Sequence, residues 1–179
     1  MVVCMKILYI WDGEYQKLPD ARHENIKTCL KFYPDAQYFC ISKKPSFFSR
    51  DFKIIDWDQT VSEIETYFDF GKLEGIGNSS DWMRFWFLAH NPDTLYMDTD
   101  ITLKKGFDFH EVGRLMFPEK DIYILYSGNE DHGSDIIEAM EAEPIQHKSG
   151  SFTHLVYLPK RFEKSQFETI PSDVFLHWN

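Results

Sequence analysis

The chain has 179 residues and a formal net charge of −10, with 43% hydrophobic and 17% aromatic residues. This length suits one domain with a sizeable core, and the composition excludes an intrinsically disordered chain. The negative charge argues against nucleic acid or an anionic membrane as a partner, because both need clustered Lys and Arg.

The predicted elements alternate between strands and helices through the first half of the chain. In chain order they are strand 6–11, helix 20–33, strand 37–41, strand 52–57, helix 60–70, a glycine-containing loop 71–79, helix 80–90 capped by Ser80, strands 94–97 and 101–103, strand 121–126, helix 134–142 and strand 153–158. This alternation predicts an α/β fold with a mostly parallel central sheet flanked by helices. The continuous apolar runs KILYIW and DIYILY are typical of buried parallel strands.

Cysteine usage and hydropathy give an expectation about location. Cys4, Cys29 and Cys40 lack C-x-x-C spacing, and no Cys/His pair has zinc-finger spacing. We therefore expect free thiols in a reducing compartment. The opening MVVC is too short for a signal peptide, and no apolar stretch reaches the roughly 18 residues of a transmembrane helix. The expectation is a soluble cytoplasmic protein with one domain, residues 1–179.

Two aspartates interrupt the strand-like segment TLYMDTDITL, residues 94–103. Ligands of parallel sheets bind beyond the carboxyl ends of the strands, and Asp98 and Asp100 follow predicted strand 94–97 directly. If the backbone stays extended, both side chains point to one side, with Thr99 opposite. Adjacent carboxylates repel unless a cation is near, and a hard divalent ion such as Mg²⁺ or Mn²⁺ suits oxygen ligands.

A simpler interpretation remains open for the same segment. Aspartate favours turns, so DTD is also compatible with a hairpin between LYM and ITL, and a short D-x-D pattern arises by chance. The second such pattern, Asp56-Trp57-Asp58, precedes a predicted helix and is best explained as turn and cap residues.

Helix 80–90 carries a charged pair, Asp81 and Arg84, one turn apart on the same face. The pair is either an ordinary ion pair near a helix N-terminus or a binding element that projects toward Asp98 and Asp100. In the second case the forked donors of Arg84 suit phosphate or sugar hydroxyls.

The segment SSDWMRFWFLAHNPDTLYMDTDITL, residues 79–103, resembles the centre of the DXD-containing glycosyltransferases with a GT-A fold. It is most similar to the capsular-polysaccharide sugar transferases and fungal α-mannosyltransferases of glycosyltransferase family 32. The shared pattern is Ser80-Asp81, Arg84 and Tyr96-x-Asp98-x-Asp100, although Asn91-Pro92-Asp93 replaces the family's Gly-Gly. Further segments resemble the family in the same order, and they are ILYIWDG, KIIDWDQ, GNEDHGSDIIEAMEAEP, SGSFTH without the family's proline, and FLHW near the end.

The resemblance implies a metal-dependent transferase that moves a sugar from a UDP- or GDP-sugar to a hydroxyl of a glycan or polysaccharide, with retention at the anomeric carbon. It implies Mn²⁺ or Mg²⁺ as the cofactor. The roles that it implies are the nucleotide base for Trp11, the donor sugar and phosphates for Asp81 and Arg84, the ribose or sugar and the metal for Asp98, the metal for Asp100 and His177, and the donor sugar or acceptor for Asn129. Asp98, Asp100 and Arg84 are the expected catalytic residues.

Two alternatives to a glycosyltransferase remain. A metal-dependent phosphohydrolase or nucleotidyltransferase would use the same aspartates, with Asp12 after the first strand as a further acidic residue. A non-catalytic GT-A-like domain would only bind carbohydrate or a partner.

Overall fold

The computed structural model describes residues 4–12, 20–43, 51–69, 72–73, 75–142 and 159–178. These residues form a mixed α/β fold, as the alternating elements predict. The strands are β1 Lys6–Trp11, β2 Gln37–Ser42, β3 Phe52–Asp56, β4 Thr94–Met97, β5 Ile101–Leu103, β6 Leu115–Phe117, β7 Ile124–Tyr126, β8 Phe167–Thr169 and β9 Phe175–His177. The helices are α1 Asp20–Phe32, α2 Trp57–Phe68, α3 Ile76–His90 and α4 Gly133–Glu141, with a 3₁₀ turn at Phe109–Glu111.

The central sheet has seven strands in the order β3-β2-β1-β4-β7-β6-β8. Strands β3, β2, β1 and β4 are mutually parallel, and β6 is parallel to β8, whereas β7 is antiparallel to both of its neighbours. The carboxyl ends of the four parallel strands therefore lie together, at what we call the carboxyl edge. Because β7 runs the other way, its first residues reach this same edge.

Two apolar cores lie on opposite faces of the sheet, as period-2 side-chain alternation requires. Leu8 and Ile10 of β1 belong to one core, which α2, α3 and α4 complete. Ile7 and Tyr9 belong to the other, which contains α1 and the separate two-stranded sheet of β5 and β9. Burial on both faces explains the continuous apolar run of β1.

Helix α3 begins four residues before the predicted position, so the prediction that Ser80 caps it is wrong. Gly75 is the N-cap residue, and its φ of 83° suits a residue without a Cβ. Ser80 lies within the helix, where its hydroxyl donates to the carbonyl of Gly77 at 2.9 Å. In the sequence, Gly75 and Gly77 favour a loop, but in the structure Gly75 caps the helix and Gly77 lies in its first turn.

Strand β7 begins at Ile124, three residues later than predicted. Asp121 adopts a left-handed conformation, with φ of 59°. The next two carbonyls point to the carboxyl edge, since Ile122 accepts from Arg84 and Tyr123 accepts from the amide of Asp98. Strands β6 and β8 have three residues each and were not predicted, and the predicted strand 153–158 lies outside the described residues.

Candidate functional site

The Asp98-Thr99-Asp100 segment forms a tight turn at the carboxyl end of β4. The carbonyl of Asp98 accepts a hydrogen bond of 3.1 Å from the amide of Ile101, and the Asp98 amide donates to Tyr123 at 2.8 Å. The backbone is therefore not extended through the pair, and the condition under which both side chains point to one side is not met. The hairpin alternative is wrong, because β5 pairs with β9 and does not return along β4.

Helix α1 holds the centre of this turn. Thr99 is buried, its carbonyl accepts from the Nδ2 atom of Asn25 at 3.0 Å, and its hydroxyl oxygen accepts from the Nη1 atom of Arg22. The Oδ1 atom of Asn25 also accepts from the Thr102 hydroxyl at 2.6 Å. With its middle residue anchored, the turn leaves its two aspartates only partly buried at the carboxyl edge.

Arg84 is buried and links α3 to the turn. Its Nη2 atom lies 2.9 Å from Asp81, its Nη1 atom donates to the carbonyl of Ile122 at 2.7 Å, and the same Nη1 lies 3.7 Å from the Oδ1 atom of Asp98. Burial alone would lower the pKa of Arg84, but the Tyr96 hydroxyl and these carboxylates outweigh it and raise the pKa. Asp81 and Arg84 thus form an i, i+3 ion pair, and Arg84 also reaches Asp98. The pair is therefore both an ion pair within the helix and an element that projects toward the turn, the two possibilities that the sequence leaves open.

One oxygen of Asp98 has two partners, a hydrogen-bond donor and an ion-pair cation. Its Oδ1 atom accepts from the hydroxyl of Tyr96 and faces Arg84. Burial raises the pKa of Asp98. The charge of Arg84 and the hydrogen bond from Tyr96 oppose that shift, whereas the charges of Asp100 and Asp81 add to it. The edge therefore has more negative charge than Arg84 alone neutralises, and a further cation would favour the ionised form of Asp98.

Strand β9 brings His177 to the other aspartate. His177 pairs with Ile101 in the two-stranded sheet, and its Nε2 atom lies 3.4 Å from the Oδ2 atom of Asp100. Its ring stacks on Tyr123, with centroids 4.2 Å apart and planes inclined by 16°. The amide of Trp178 donates to the carbonyl of Asp100 at 3.0 Å, so the segment after β9 stays attached to the turn.

Trp11 and Asp12 lie at the carboxyl end of β1, beside β4 in the sheet. The guanidinium carbon of Arg22 stands 5.3 Å from the centre of the Trp11 ring, so Arg22 lies between Trp11 and the turn. The Oδ1 atom of Asp12 is 3.9 Å from the Nζ atom of Lys43, beyond hydrogen-bonding distance.

Unpaired polar atoms concentrate at the carboxyl edge. Among the described residues, five buried side-chain atoms have no hydrogen-bond partner, and they are Tyr9 Oη, Trp11 Nε1, Asp12 Oδ1, Asn78 Oδ1 and Asp100 Oδ1. The last four belong to the end of β1, the first turn of α3 and the turn after β4. Buried polar atoms are normally satisfied, so unsatisfied ones grouped at one edge indicate a place where a ligand supplies the partners.

Asn129 is not part of this group. It follows β7, which runs antiparallel to β4, so Asn129 lies at the opposite edge of the sheet from Asp98. Its side chain donates to the carbonyl of His110 at 2.6 Å, and its amide donates to Val112 at 2.9 Å. These contacts secure the segment around the 3₁₀ turn.

The other D-x-D pattern has the local role expected from the sequence. Asp56 is the N-cap of α2, and its Oδ1 atom accepts from the amide of Gln59 at 2.7 Å. Trp57 is buried in the core, and Asp58 is exposed in the first helical turn.

Few side chains at the turn could act as metal ligands. No group of three or more His, Cys, Asp and Glu side chains within the described ranges is arranged to hold a metal ion on its own. Asp100 has one oxygen without a partner and the other beside the His177 ring. This pair fits a divalent ion that takes its remaining ligands from phosphate and water, as Mg²⁺ and Mn²⁺ do at phosphate sites.

A cavity of about 230 Å³ opens at the same edge, between the end of β2 and the starts of α2 and α3. Lys43, Trp57 and Ser79 are among its lining residues. A larger cavity, of about 370 Å³, lies at the other edge of the sheet, against Met5, Tyr33 and Phe109. It is remote from the carboxylates of the turn.

Sequence reasoning did not single out several residues that complete the edge. Arg22 and Asn25 belong to α1, and Tyr123 belongs to the segment expected to be strand. A polar-rich first turn in a helix that directly follows β1 is a weak signal for them, since that helix starts at the carboxyl edge. Nothing in the sequence marks Tyr123 as the partner of His177.

No protein-family model matches the sequence, and no curated protein matches it. The resemblance to glycosyltransferase family 32 therefore remains a prediction. Among solved structures, the chain is similar to a transferase studied as a double cysteine-to-serine mutant, with a TM-score of 0.56 and 10% identity over 88% of this chain and 83% of that one.

Two glycosyltransferases match with lower scores. The PaToxG glycosyltransferase has a TM-score of 0.49 and 16% identity over 78% of this chain, and mouse xyloside xylosyltransferase 1 has 0.45 and 12% over 66%. The chain spans 59% of the first and 53% of the second.

At such identities a likeness concerns the fold alone. The seven-stranded, mostly parallel sheet with helices on both faces confirms the predicted α/β class and fits a GT-A-like fold. Among the described helices, none has both the length and the apolar character needed to cross a bilayer.

Proposed function

We propose that the chain is a metal-dependent glycosyltransferase that takes a sugar from a nucleoside diphosphate sugar and transfers it to an acceptor hydroxyl. The observation that carries the proposal is the assembly at the carboxyl edge. Asp81 and Arg84 from α3, Asp98 and Asp100 from the turn, and His177 from β9 come together there, in contact or through one another. Trp11 joins them through Arg22.

The unsatisfied atoms support a ligand with both hydrogen-bonding and cationic parts. Trp11 Nε1 is a donor and suits an oxygen of a base or ribose, whereas Asp12 Oδ1 and Asp100 Oδ1 are acceptors and suit a hydroxyl or a metal ion. A nucleoside diphosphate with its divalent ion presents all of these groups. The fold of the transferase structure with a TM-score of 0.56 is consistent with this choice.

Each residue has a proposed role. Asp100 and His177 would hold Mn²⁺ or Mg²⁺, which when bound neutralises charge on the leaving diphosphate. Asp98, fixed through Oδ1 by Tyr96 and Arg84, accepts a hydrogen bond from a ribose or sugar hydroxyl through its other oxygen. Trp11 borders the base. Arg84 orients the carboxylates of Asp81 and Asp98.

Retention at the anomeric carbon, polysaccharide as the acceptor and family 32 membership remain part of the proposal on the strength of the sequence resemblance alone. The use of UDP or GDP has the same basis. The assignment of residues 1–179 to one domain rests on chain length, and the cytoplasmic location rests on cysteine usage and hydropathy; both belong to the proposal as well.

Thermal unfolding with and without ligands tests the proposal. UDP, GDP and their sugar conjugates should each be added with Mn²⁺ and, separately, with EDTA. We expect at least one of them to raise the Tm in Mn²⁺ and to lose that effect in EDTA, because a ligand that binds only the folded state stabilises it. No metal-dependent stabilisation by any of them would contradict the proposal.

Product analysis separates the alternatives. A glycosyltransferase should release nucleoside diphosphate from the stabilising donor and transfer the sugar to an acceptor or, slowly, to water. A phosphohydrolase would instead release inorganic phosphate from simple phosphate esters. Binding without any turnover over a broad acceptor panel would favour the non-catalytic domain.

A further inference from the structure

We propose that Arg22, on α1, is a catalytic residue that contacts the diphosphate of the donor. The inference rests on the proposed function and deepens it, because it moves to Arg22 the phosphate contact that the sequence resemblance implies for Arg84. Four observations carry it: the occupied donors of Arg84, the open donors of Arg22, the position of Arg22 and the charge of the edge.

The guanidinium of Arg84 is already committed to the protein. It donates through Nε to the carbonyl of Ser80 at 3.3 Å and through Nη1 to that of Ile122 at 2.7 Å, and its Nη2 lies 2.9 Å from Asp81. Its flat face stands 4.6 Å from the centre of the Tyr96 ring. With its side chain 8% exposed, Arg84 has no free face for a phosphate.

Arg22 is only half-buried and has one hydrogen bond within the described part of the chain, from Nη1 to the hydroxyl of Thr99. A guanidinium has five N–H donors in a planar fork, so several donors of Arg22 remain for a ligand. It also forms no ion pair with any carboxylate among the residues described. Among those residues no carboxylate balances its charge, in contrast to that of Arg84.

The position of Arg22 matches where a diphosphate has to lie. Its guanidinium stands over the ring of Trp11, the proposed neighbour of the base, and touches Thr99, which precedes the proposed metal ligand Asp100. A diphosphate joins the nucleoside to the sugar, and its oxygens are the groups that would bind a metal ion held by Asp100. Arg22 therefore spans the gap that the diphosphate would cross.

The charge at the edge favours such a cation. Asp12, Asp81, Asp98 and Asp100 all lie there, and the ion pairs of Arg84 and Lys43 balance only part of that charge. A donor diphosphate adds more negative charge. Forked arginine donors on phosphate are strong charge-assisted contacts, and they stabilise the charge that grows on the leaving group.

The test compares Arg22→Gln, Arg22→Lys and the matched control Lys27→Gln, which removes the same charge from an exposed position of the same helix. The probes are the stabilising nucleoside diphosphate and the corresponding monophosphate in Mn²⁺, with calorimetric affinities, unfolding temperatures and turnover of the sugar donor. We expect Arg22→Gln to weaken diphosphate binding at least tenfold and turnover roughly a hundredfold. Monophosphate binding should change less than threefold, and the unfolding temperature should stay within a few degrees of wild type.

Arg22→Lys should recover part of the diphosphate affinity, since it restores the charge without the fork. Lys27→Gln should behave as wild type. Unchanged diphosphate affinity and turnover in Arg22→Gln would overturn the inference and leave the proposed function standing. An equal loss for monophosphate and diphosphate would also overturn it, because Arg22 would then act only through the packing of Trp11. Wild-type protein that binds no nucleoside diphosphate would overturn the proposed function itself.

Discussion

The Nε2 atom of His177 lies 3.4 Å from the Oδ2 atom of Asp100, although the two residues are far apart in the chain. The contact depends on the register of β5 with β9, which sets Ile101 opposite His177. It joins the last described strand to the carboxylate turn, and it gives the proposed metal site its only nitrogen donor among the described residues.

Loss of either member of this pair should remove metal-dependent nucleotide binding. We expect Asp100→Asn and His177→Ala to weaken Mn²⁺-dependent binding of the nucleoside diphosphate at least tenfold while the chain still folds, since both side chains are partly exposed. Calorimetry with and without EDTA measures the effect. Asp58→Asn is the control, because it changes the other D-x-D pattern at an exposed helix position. Retained binding in both site variants would exclude the pair as metal ligands.

Arg84→Gln should destabilise the fold rather than merely weaken binding. The change leaves Asp81 and Asp98 without their buried cation, and breaking a buried pair on one side typically costs about 3–5 kcal/mol. Urea unfolding gives the free energy. Lys27→Gln breaks only an exposed pair with Glu24 and should cost less than about 1 kcal/mol. A cost as small for Arg84→Gln would mean that Arg84 is not a structural cation.

Gly128 should not tolerate a side chain. It has a φ of 78°, and a Cβ there would stand 2.4 Å from the carbonyl oxygen of Gly113, so we expect Gly128→Ala to cost more than about 2 kcal/mol. Gly77 lies inside α3 with open space around a Cβ. Gly77→Ala should therefore raise the unfolding free energy, by up to about 1 kcal/mol. Thermal and urea unfolding of both variants compare a strained glycine with an unstrained one.

Thiol reactivity should distinguish the three cysteines. Cys4, Cys29 and Cys40 are free, but only Cys4 is partly exposed. Burial raises the pKa of Cys29 from its ordinary value of 9.0 to about 12. At pH 8 the thiolate fraction of Cys29 in the folded state is therefore roughly a thousandfold below that of the unfolded chain, and it rises with pH until about 12.

Iodoacetamide at pH 8, followed by mass spectrometry, should find Cys4 modified first. Cys29 and Cys40 should react only in denaturant, because burial also raises the pKa of Cys40. Equal labelling of all three thiols in the native protein would contradict the buried positions of Cys29 and Cys40.

Asn129→Ala should leave nucleotide affinity within twofold of wild type, since Asn129 lies at the edge of the sheet opposite Asp98. It should lower stability by about 1 kcal/mol, because its side-chain hydrogen bond to His110 is lost. Calorimetry and urea unfolding check the two halves of this prediction. A large loss of affinity would place Asn129 at the donor after all.

The first half of the fold could be predicted because its signals are local. The signals for β1, α1 and β4 come from neighbouring residues, and the predicted bounds of these three elements agree with the structure to within one residue. Strands β6 and β8 have three residues each, too few for a periodic signal to stand out. The start of α3 was misjudged because Gly75 acts as an N-cap, a role in which glycine resembles a loop residue.

The sequence indicates which types of residue the candidate site contains, but not which of them contact the protein and which face a ligand. The D-x-D pattern directs attention to the carboxyl edge, where Arg84 and His177 also lie, because the parallel strands end there. Whether Arg84 faces a ligand or the protein depends on the carbonyls of Ser80 and Ile122 and on Asp81, and the sequence gives no register for the contact with Ile122. The place of Arg22 at this edge follows from its contacts with Thr99 and Trp11, which the sequence does not indicate.

The two-stranded sheet of β5 and β9 has an inner and an outer side. Leu103 and Phe175 pack into a core, whereas the facing pair Thr102 and Leu176 is more exposed, and the indole of Trp178 donates to the Thr102 hydroxyl at 2.6 Å. Outward substitutions there can loosen or tighten the attachment of the tail while the cores remain intact. Under the proposed function, a few surface positions would thus set how long a nucleotide is retained, independently of the residues that form the two cores.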